Sequence, residues 1–245
     1  DVTSDVQGDL ADFRVVLDNY ASFGPADRLI VNGDLVGSGT EAEYDEFLGV
    51  LAEHEHAAAT YSIGNHEFYS GDGTAASIER FVRRTGMPGV YFRADVDGVP
   101  VLHLGSTEEP GEWAVGNQVV LGDEQLAWLD AELDSVPADQ PVLIFSHHPL
   151  PAATSGTIGE GRQTYYDLDY REIDRLLDVL GDHPNVTFFT GHTHYSLHRE
   201  DGTNRVAVDG GDELGFVSVN TGAVQTEWGP EPGGPDQGEW AGPAS

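Results

Sequence analysis

Apolar positions along the chain fall into two alternating patterns. Short, mainly apolar runs at residues 28–32, 58–62, 101–105, 141–146 and 186–190 read as buried strands. Between them, residues 10–23, 41–53, 75–84, 123–133 and 170–180 repeat apolar positions at steps of three and four, the period of a helix with one buried face. Strand and helix in alternation predict a layered α/β domain. The helix over 123–133 carries Trp128 and Leu129 on its buried stripe, with Asp123 placed to cap its first free amides.

Beyond Thr190 the pattern shortens. Residues 195–199, 204–208 and 215–220 alternate in polarity between Gly- and Asp-rich turns, which predicts antiparallel strands closing a second sheet. From Glu227 onward Gly, Pro and acids dominate, so a tail or linker is expected over 227–245 and a single domain over 1–226. Val2 and Thr3 read as the end of a strand that begins upstream, so the N-terminus is expected to be trimmed.

The charge narrows the partners. Among 245 residues there are 43 Asp and Glu against 11 cations, all of them Arg, for a formal net charge of −32. Such a surface repels phosphate backbones and anionic lipids, so neither nucleic acid nor a membrane is an expected partner. No apolar run reaches the roughly 18 residues of a membrane span. The complete lack of Cys excludes disulfides, thiolate zinc sites, iron–sulfur clusters and a cysteine nucleophile. Neither the compartment nor the oligomeric state is legible from the chain.

Five places combine a strand end, a tight turn and side chains of metal-binding type: Ser4-Asp5-Val6-Gln7, Asn32-Gly33-Asp34-Leu35, Gly64-Asn65-His66-Glu67, Ser146-His147-His148-Pro149 and Gly191-His192-Thr193-His194. All five would project from the carboxyl edge of a sheet, where α/β folds build their sites. Hard oxygen donors (Asp5, Gln7, Asp34, Asn65) mixed with imidazoles (His147, His192, His194) suit Mn, Fe or Zn better than Ca or Mg alone. Seven donors exceed the needs of one ion. Two divalent ions about 3.5–4 Å apart, sharing one carboxylate, would use all of them and provide a bridging hydroxide for in-line attack on phosphorus.

In these motifs the chain resembles the calcineurin-like metallophosphoesterase superfamily, whose pattern runs Asp-x-His, Gly-Asp, Gly-Asn-His-Asp/Glu, a lone His and Gly-His-x-His. The same order appears here as Asp5-Val6-Gln7, Gly33-Asp34, Gly64-Asn65-His66-Glu67, His147 and Gly191-His192-Thr193-His194. The resemblance implies a four-layer α-β-β-α sandwich, two facing mixed sheets flanked by helices, with two divalent ions between the sheet edges. By carry-over Asp5, Gln7, Asp34 and His194 hold one ion, and Asp34, Asn65, His147 and His192 hold the other, with Asp34 bridging. His66 would be the catalytic acid at the leaving oxygen. The implied reaction is hydrolysis of a small phosphate mono- or diester, as in the small phosphodiesterase and purple-acid-phosphatase branch.

Gln7 departs from the pattern, standing where the family usually has His, so the first site should be looser or harder in its metal preference. The alternative reading is a catalytically impaired metal-binding scaffold acting in protein interaction; the retained His66 counts against it. A nuclease on the same fold is disfavoured, because Lys and basic runs are lacking. The loop over 149–169 is expected to form a pocket rim, with Arg162 meeting the substrate, and the segment 108–118 with Trp113 to form a second rim. His54, His56, His183 and His198 read as solvated and His103 as a core or inter-strand residue. His148 faces either the substrate or the metal ligands, and Asp9 and Glu67 either support the metal ligands or begin helices. Two divalent ions would outweigh Asp5 and Asp34 and make the pocket floor cationic, leaving the acidity as a solvated surface suited to high salt.

Overall fold

The computed structural model describes residues 1–110, 119–158 and 169–226. Strands β1 (Val2–Thr3), β2 (Leu29–Asn32) and β3 (Ala59–Ser62) form a three-stranded sheet that is parallel throughout. A second, mixed sheet holds β4 (Phe92–Val96), β5 (Val99–Leu104), β6 (Val142–Ser146), β7 (Val186–Thr190), β8 (Thr203–Val206) and β9 (Phe216–Asn220), in the order β4-β5-β6-β7-β9-β8. The helices are α1 (Leu10–Phe23), α2 (Glu41–Glu53), α3 (Thr74–Thr85), α4 (Gly122–Asp134) and α5 (Ile173–Gly181).

Strand alternation sorts the side chains into three apolar layers. Leu29 and Val31 of β2 point to one face, where they pack with Phe13 and Leu17 of α1, Tyr44 and Phe47 of α2 and Phe81 of α3. Ile30, between them, turns the other way and meets Val101 and Phe145 of the larger sheet. On the far side of that sheet, Val142, Ile144 and Phe188 pack against Leu126 and Leu129 of α4 and Leu176 and Leu180 of α5. Helices, sheet, sheet and helices are therefore stacked in four layers, and strands covered on both faces read as continuous apolar runs.

Local chemistry fixes the helix ends. Asp9 caps α1 by accepting the Asp12 amide at 3.2 Å, and Thr40 and Glu43 close a capping box on α2. Asp123 does not cap α4: the helix begins at Gly122, and Asp123 instead pairs with Arg175 of α5.

One strand is added and two expectations are corrected. The added strand is β4, where Phe92, Ala94 and Val96 alternate with Arg93 and Asp95 in an edge strand exposed on one side. Residues 195–199 add no strand; the other two segments end the second sheet as expected, but β9 runs parallel to β7 and, of the two, only the β8–β9 pairing is antiparallel. α5 starts at Ile173 because Tyr170 is held in a bridge with Val119 and by its hydroxyl to Ser146. The tail over 227–245 lies outside the described residues.

Candidate metal centre

β1, β2 and β3 run parallel, as do β6 and β7, so their carboxyl ends deliver Asp5, Asp34, Asn65, His147 and His192 toward one region between the sheets. The turns carrying these residues are strained. Asp5, Gln7, Asp34, His192 and His194 all have φ between 45 and 66°, a left-handed conformation that non-glycine residues rarely adopt away from functional sites. Two glycines permit the crowding: a Cβ on Gly33 would strike the His147 ring, and one on Gly64 would strike the Asp34 carboxylate.

Asp34 is at the middle. Its Oδ2 lies 3.1 Å from His147 Nε2 and 3.8 Å from His66 Nε2, and accepts the Gln7 amide nitrogen at 2.8 Å. Its Oδ1 accepts the His66 backbone amide at 2.9 Å. Asp34, His147 and His192 present ligand atoms all within 4.8 Å of one another. Asp5 Oδ1 approaches His194 Nε2 at 3.2 Å and His147 Nε2 at 3.7 Å, while its Oδ2 accepts from Ser4 Oγ and the His192 amide.

The imidazoles are turned for ligation. His147 Nδ1 donates to the Asn32 carbonyl at 2.8 Å and His194 Nδ1 to the Thr226 carbonyl at 2.9 Å, so each presents Nε2 to the cluster. Asp5 Oδ1, Asn65 Oδ1 and His147 Nε2 are buried and make no hydrogen bond. Buried polar atoms without partners are costly, and Asp5 Oδ1 and His147 Nε2, 3.7 Å apart, fit a ligand that supplies the missing interaction. Carboxylate, amide oxygen and imidazole together are a divalent-metal donor set.

The charges are interdependent. Burial pushes the Asp34 carboxyl up, yet His147 and His66 more than reverse this and hold it well below its usual range. Burial likewise opposes protonation of His147, but Asp34 and Asp5 outweigh it and lift the imidazole to about 10. Glu67, fully buried, is raised to about 8 by burial and by Asp34, against the pull of the amides it accepts. Those amides are Gly64 at 2.6 Å, Leu35 at 2.8 Å, Asp34 at 3.2 Å and Val36 at 3.4 Å, so Glu67 ties the Asp34 turn to the Asn65 turn.

Six of the seven expected donors, Asp5, Asp34, Asn65, His147, His192 and His194, converge or border on this cluster, with His66 at its edge. Gln7 reaches it through its amide nitrogen, not its oxygen. His148 is buried with its ring 4.5 Å from that of His192, and Asp9 serves α1 as its cap. His103 is sandwiched between Phe92 and Phe145 in the inter-sheet layer. Arg162 and Trp113 lie outside the described residues.

Asn32 lies within the Asn32-Gly33-Asp34-Leu35 motif, which does not show that its carbonyl would hold the His147 ring. Asp169 has no motif to reveal it: fully buried, it sets Oδ2 3.8 Å from His192 Nε2, and nothing in its local sequence marks it.

The sequence profile of the calcineurin-like phosphoesterase family matches residues 1–196. The chain belongs to that family. Its phosphoesterase members hydrolyse phosphoric esters with divalent metals. The chain is 31% identical over 204 residues to a probable cyclic nucleotide phosphodiesterase of Rhodococcus erythropolis, covering 78% of this chain and 61% of that one. It is 27% identical over 178 residues to the 3',5'-cyclic adenosine monophosphate phosphodiesterase CpdA of Escherichia coli K12, covering 70% and 55%. The chain thus spans between 55 and 61% of the length of these two relatives. Among solved structures, the purple acid phosphatase PPD1 of yellow lupin seeds superposes with a TM-score of 0.60 at 16% identity, over 91% of this chain and 43% of that one. The phosphopantetheinyl hydrolase PptH of Mycobacterium tuberculosis gives 0.53 at 15%, over 91% and 89%. At such identities the phosphoesterase and these structures share a fold.

Proposed function

We propose that this phosphoesterase-family chain hydrolyses a small phosphate mono- or diester, with a nucleotide-like diester as the favoured class, at a centre of two divalent ions. The observation that carries the reading is the meeting of Asp5 and Asp34 at His147, with Asp5 Oδ1 and His147 Nε2 buried and unbonded. Asp5, Asp34 and His194 would hold one ion and Asp34, Asn65, His147 and His192 the other, with Gln7 beside Asp34. Bound divalent ions supply positive charge to phosphoryl oxygens and acidify water near neutral pH.

The protein's own groups then divide the remaining work. The Asn32 and Thr226 carbonyls hold the His147 and His194 rings in place. His66 Nδ1 donates to the Gly37 carbonyl at 2.6 Å, so it is the imidazolium form of the ring that would carry on Nε2, on the Asp34 side, a proton for the departing oxygen. A general acid so placed contributes about 10²–10⁴-fold. The diester preference draws on the two phosphodiesterase relatives.

Loading with Mn²⁺ followed by assay on bis-p-nitrophenyl phosphate, p-nitrophenyl phosphate and 3',5'-cyclic AMP tests the reading. Turnover of at least one ester, abolished by chelator and reduced about 100-fold or more in His66→Ala, is expected. No turnover of any ester by protein with bound ions would leave the metal-binding scaffold as the better account.

A further inference from the structure

The Asn65 side chain is bonded to a residue that no motif marks. Asn65 precedes a short 3-10 turn, His66–Phe68, and Tyr69 follows directly. One turn of chain brings Tyr69 back over Asn65, and the Asn65 Nδ2 donates to the Tyr69 hydroxyl oxygen at 2.7 Å. The two ends of a carboxamide have nearly the same size, so their partners decide which is presented; the Tyr69 hydroxyl, which can donate as well as accept, is here the acceptor. With the nitrogen engaged by Tyr69, the oxygen is the end that remains, buried and without a hydrogen bond. The same tyrosine ring packs on the His66 ring, with centroids 4.6 Å apart.

We infer that Tyr69 is a positioning residue of the metal centre, which holds the Asn65 amide so that its oxygen, and not its nitrogen, meets the ion. The inference rests on the metal reading proposed above. An –NH₂ group has no lone pair to offer a cation, so an amide free to turn over spends part of its time in a conformation that cannot ligate. Outer partners that orient a ligand typically contribute about 10–100-fold to metal affinity. Tyr69 is also 38% exposed, so removal of its hydroxyl disturbs little of the core.

The test is calorimetric titration of the metal-free chain with Mn²⁺, together with its melting temperature. Tyr69→Phe is expected to weaken one ion by about 10–100-fold, to leave the other unchanged, and to melt as the wild type does without metal. A second variant isolates the cause. A carboxylate has oxygen at both ends and needs no orienting, so the loss on Tyr69→Phe should vanish when the exchange is made in an Asn65→Asp background. An unchanged isotherm for Tyr69→Phe, equal weakening of both ions, or the same loss in the Asn65→Asp background overturns the inference. A wild-type chain that binds no Mn²⁺ overturns this inference and the proposed function together, whereas wild-type binding with an unaffected Tyr69→Phe overturns this one alone.

Discussion

His147, at the tip of the larger sheet, donates its Nδ1 proton to the carbonyl of Asn32, at the tip of the smaller one, across 2.8 Å. That bond joins the two sheets and turns His147 Nε2 toward Asp34 in one step. The Asn32 side chain adds to the junction by reaching the carbonyls of Ser146 and Phe189 at 3.1 and 3.2 Å. The site is thus built on the seam between the sheets, and its geometry depends on their spacing.

Asn32→Ala should therefore loosen the seam. It strips a donor from two carbonyls at the sheet junction, at a cost of about 1–3 kcal/mol. Urea unfolding of the metal-free protein measures the loss; an unchanged midpoint would show that the sheets hold their spacing without Asn32.

Glu67 is the other structural pivot, since its buried carboxylate accepts the amides of Asp34, Leu35 and Gly64. The Val36 amide donates to it as well, so Glu67→Ala leaves four amide donors without that acceptor, where each unpaired one costs about 1–3 kcal/mol. A loss of at least about 3 kcal/mol is expected, with weaker binding of Mn²⁺ because the Asp34 turn is freed. Denaturant titration and calorimetry check the two halves separately.

His103 predicts an acid weakness. Burial depresses its imidazole to about 3, and Arg28 adds to the effect. The unfolded chain takes up a proton near pH 6.5 that the folded chain refuses until about pH 3, so stability falls as pH drops through that window. The slope is about 1.4 kcal/mol per pH unit below the unfolded value. His103→Leu should flatten the dependence of stability between about pH 6.5 and 4, measured by urea unfolding. An equally steep profile in the variant would assign the acid sensitivity elsewhere.

The charge of −32 makes a salt prediction. Arg83 and Arg84 pair with Glu41 and Asp45, but exposed pairs contribute only about 0–1 kcal/mol each, and far more acids than cations remain. Added KCl screens their mutual repulsion, so the melting temperature should rise between about 0.05 and 1 M. A steady fall would mean that the ion pairs outweigh the repulsion.

Much of this was legible in the sequence because doubly covered strands and one-sided helices write plain patterns. β2, β6 and β7 were marked by unbroken apolar runs, and the residues just past their ends carried the donors. β4 was hidden because an edge strand with one wet face looks like a polar segment. The direction of β9 was hidden because pairing depends on where a strand lies in space, which no local pattern records. Gln7 could be read as a donor, but which atom it offers depends on Asp34, 27 positions away in the chain. Asn32, Tyr69 and Asp169 meet His147, Asn65 and His192 through contacts made only by folding, which no local pattern records.

Asp34 is proposed to be shared by two ions, and calorimetric titration of the wild type and of Asp34→Asn with Mn²⁺ tests that sharing. Two equivalents bound by the wild type, with both weakened in Asp34→Asn, is the predicted result. One equivalent in the wild type, or two undiminished equivalents in Asp34→Asn, would contradict a centre built around that carboxylate.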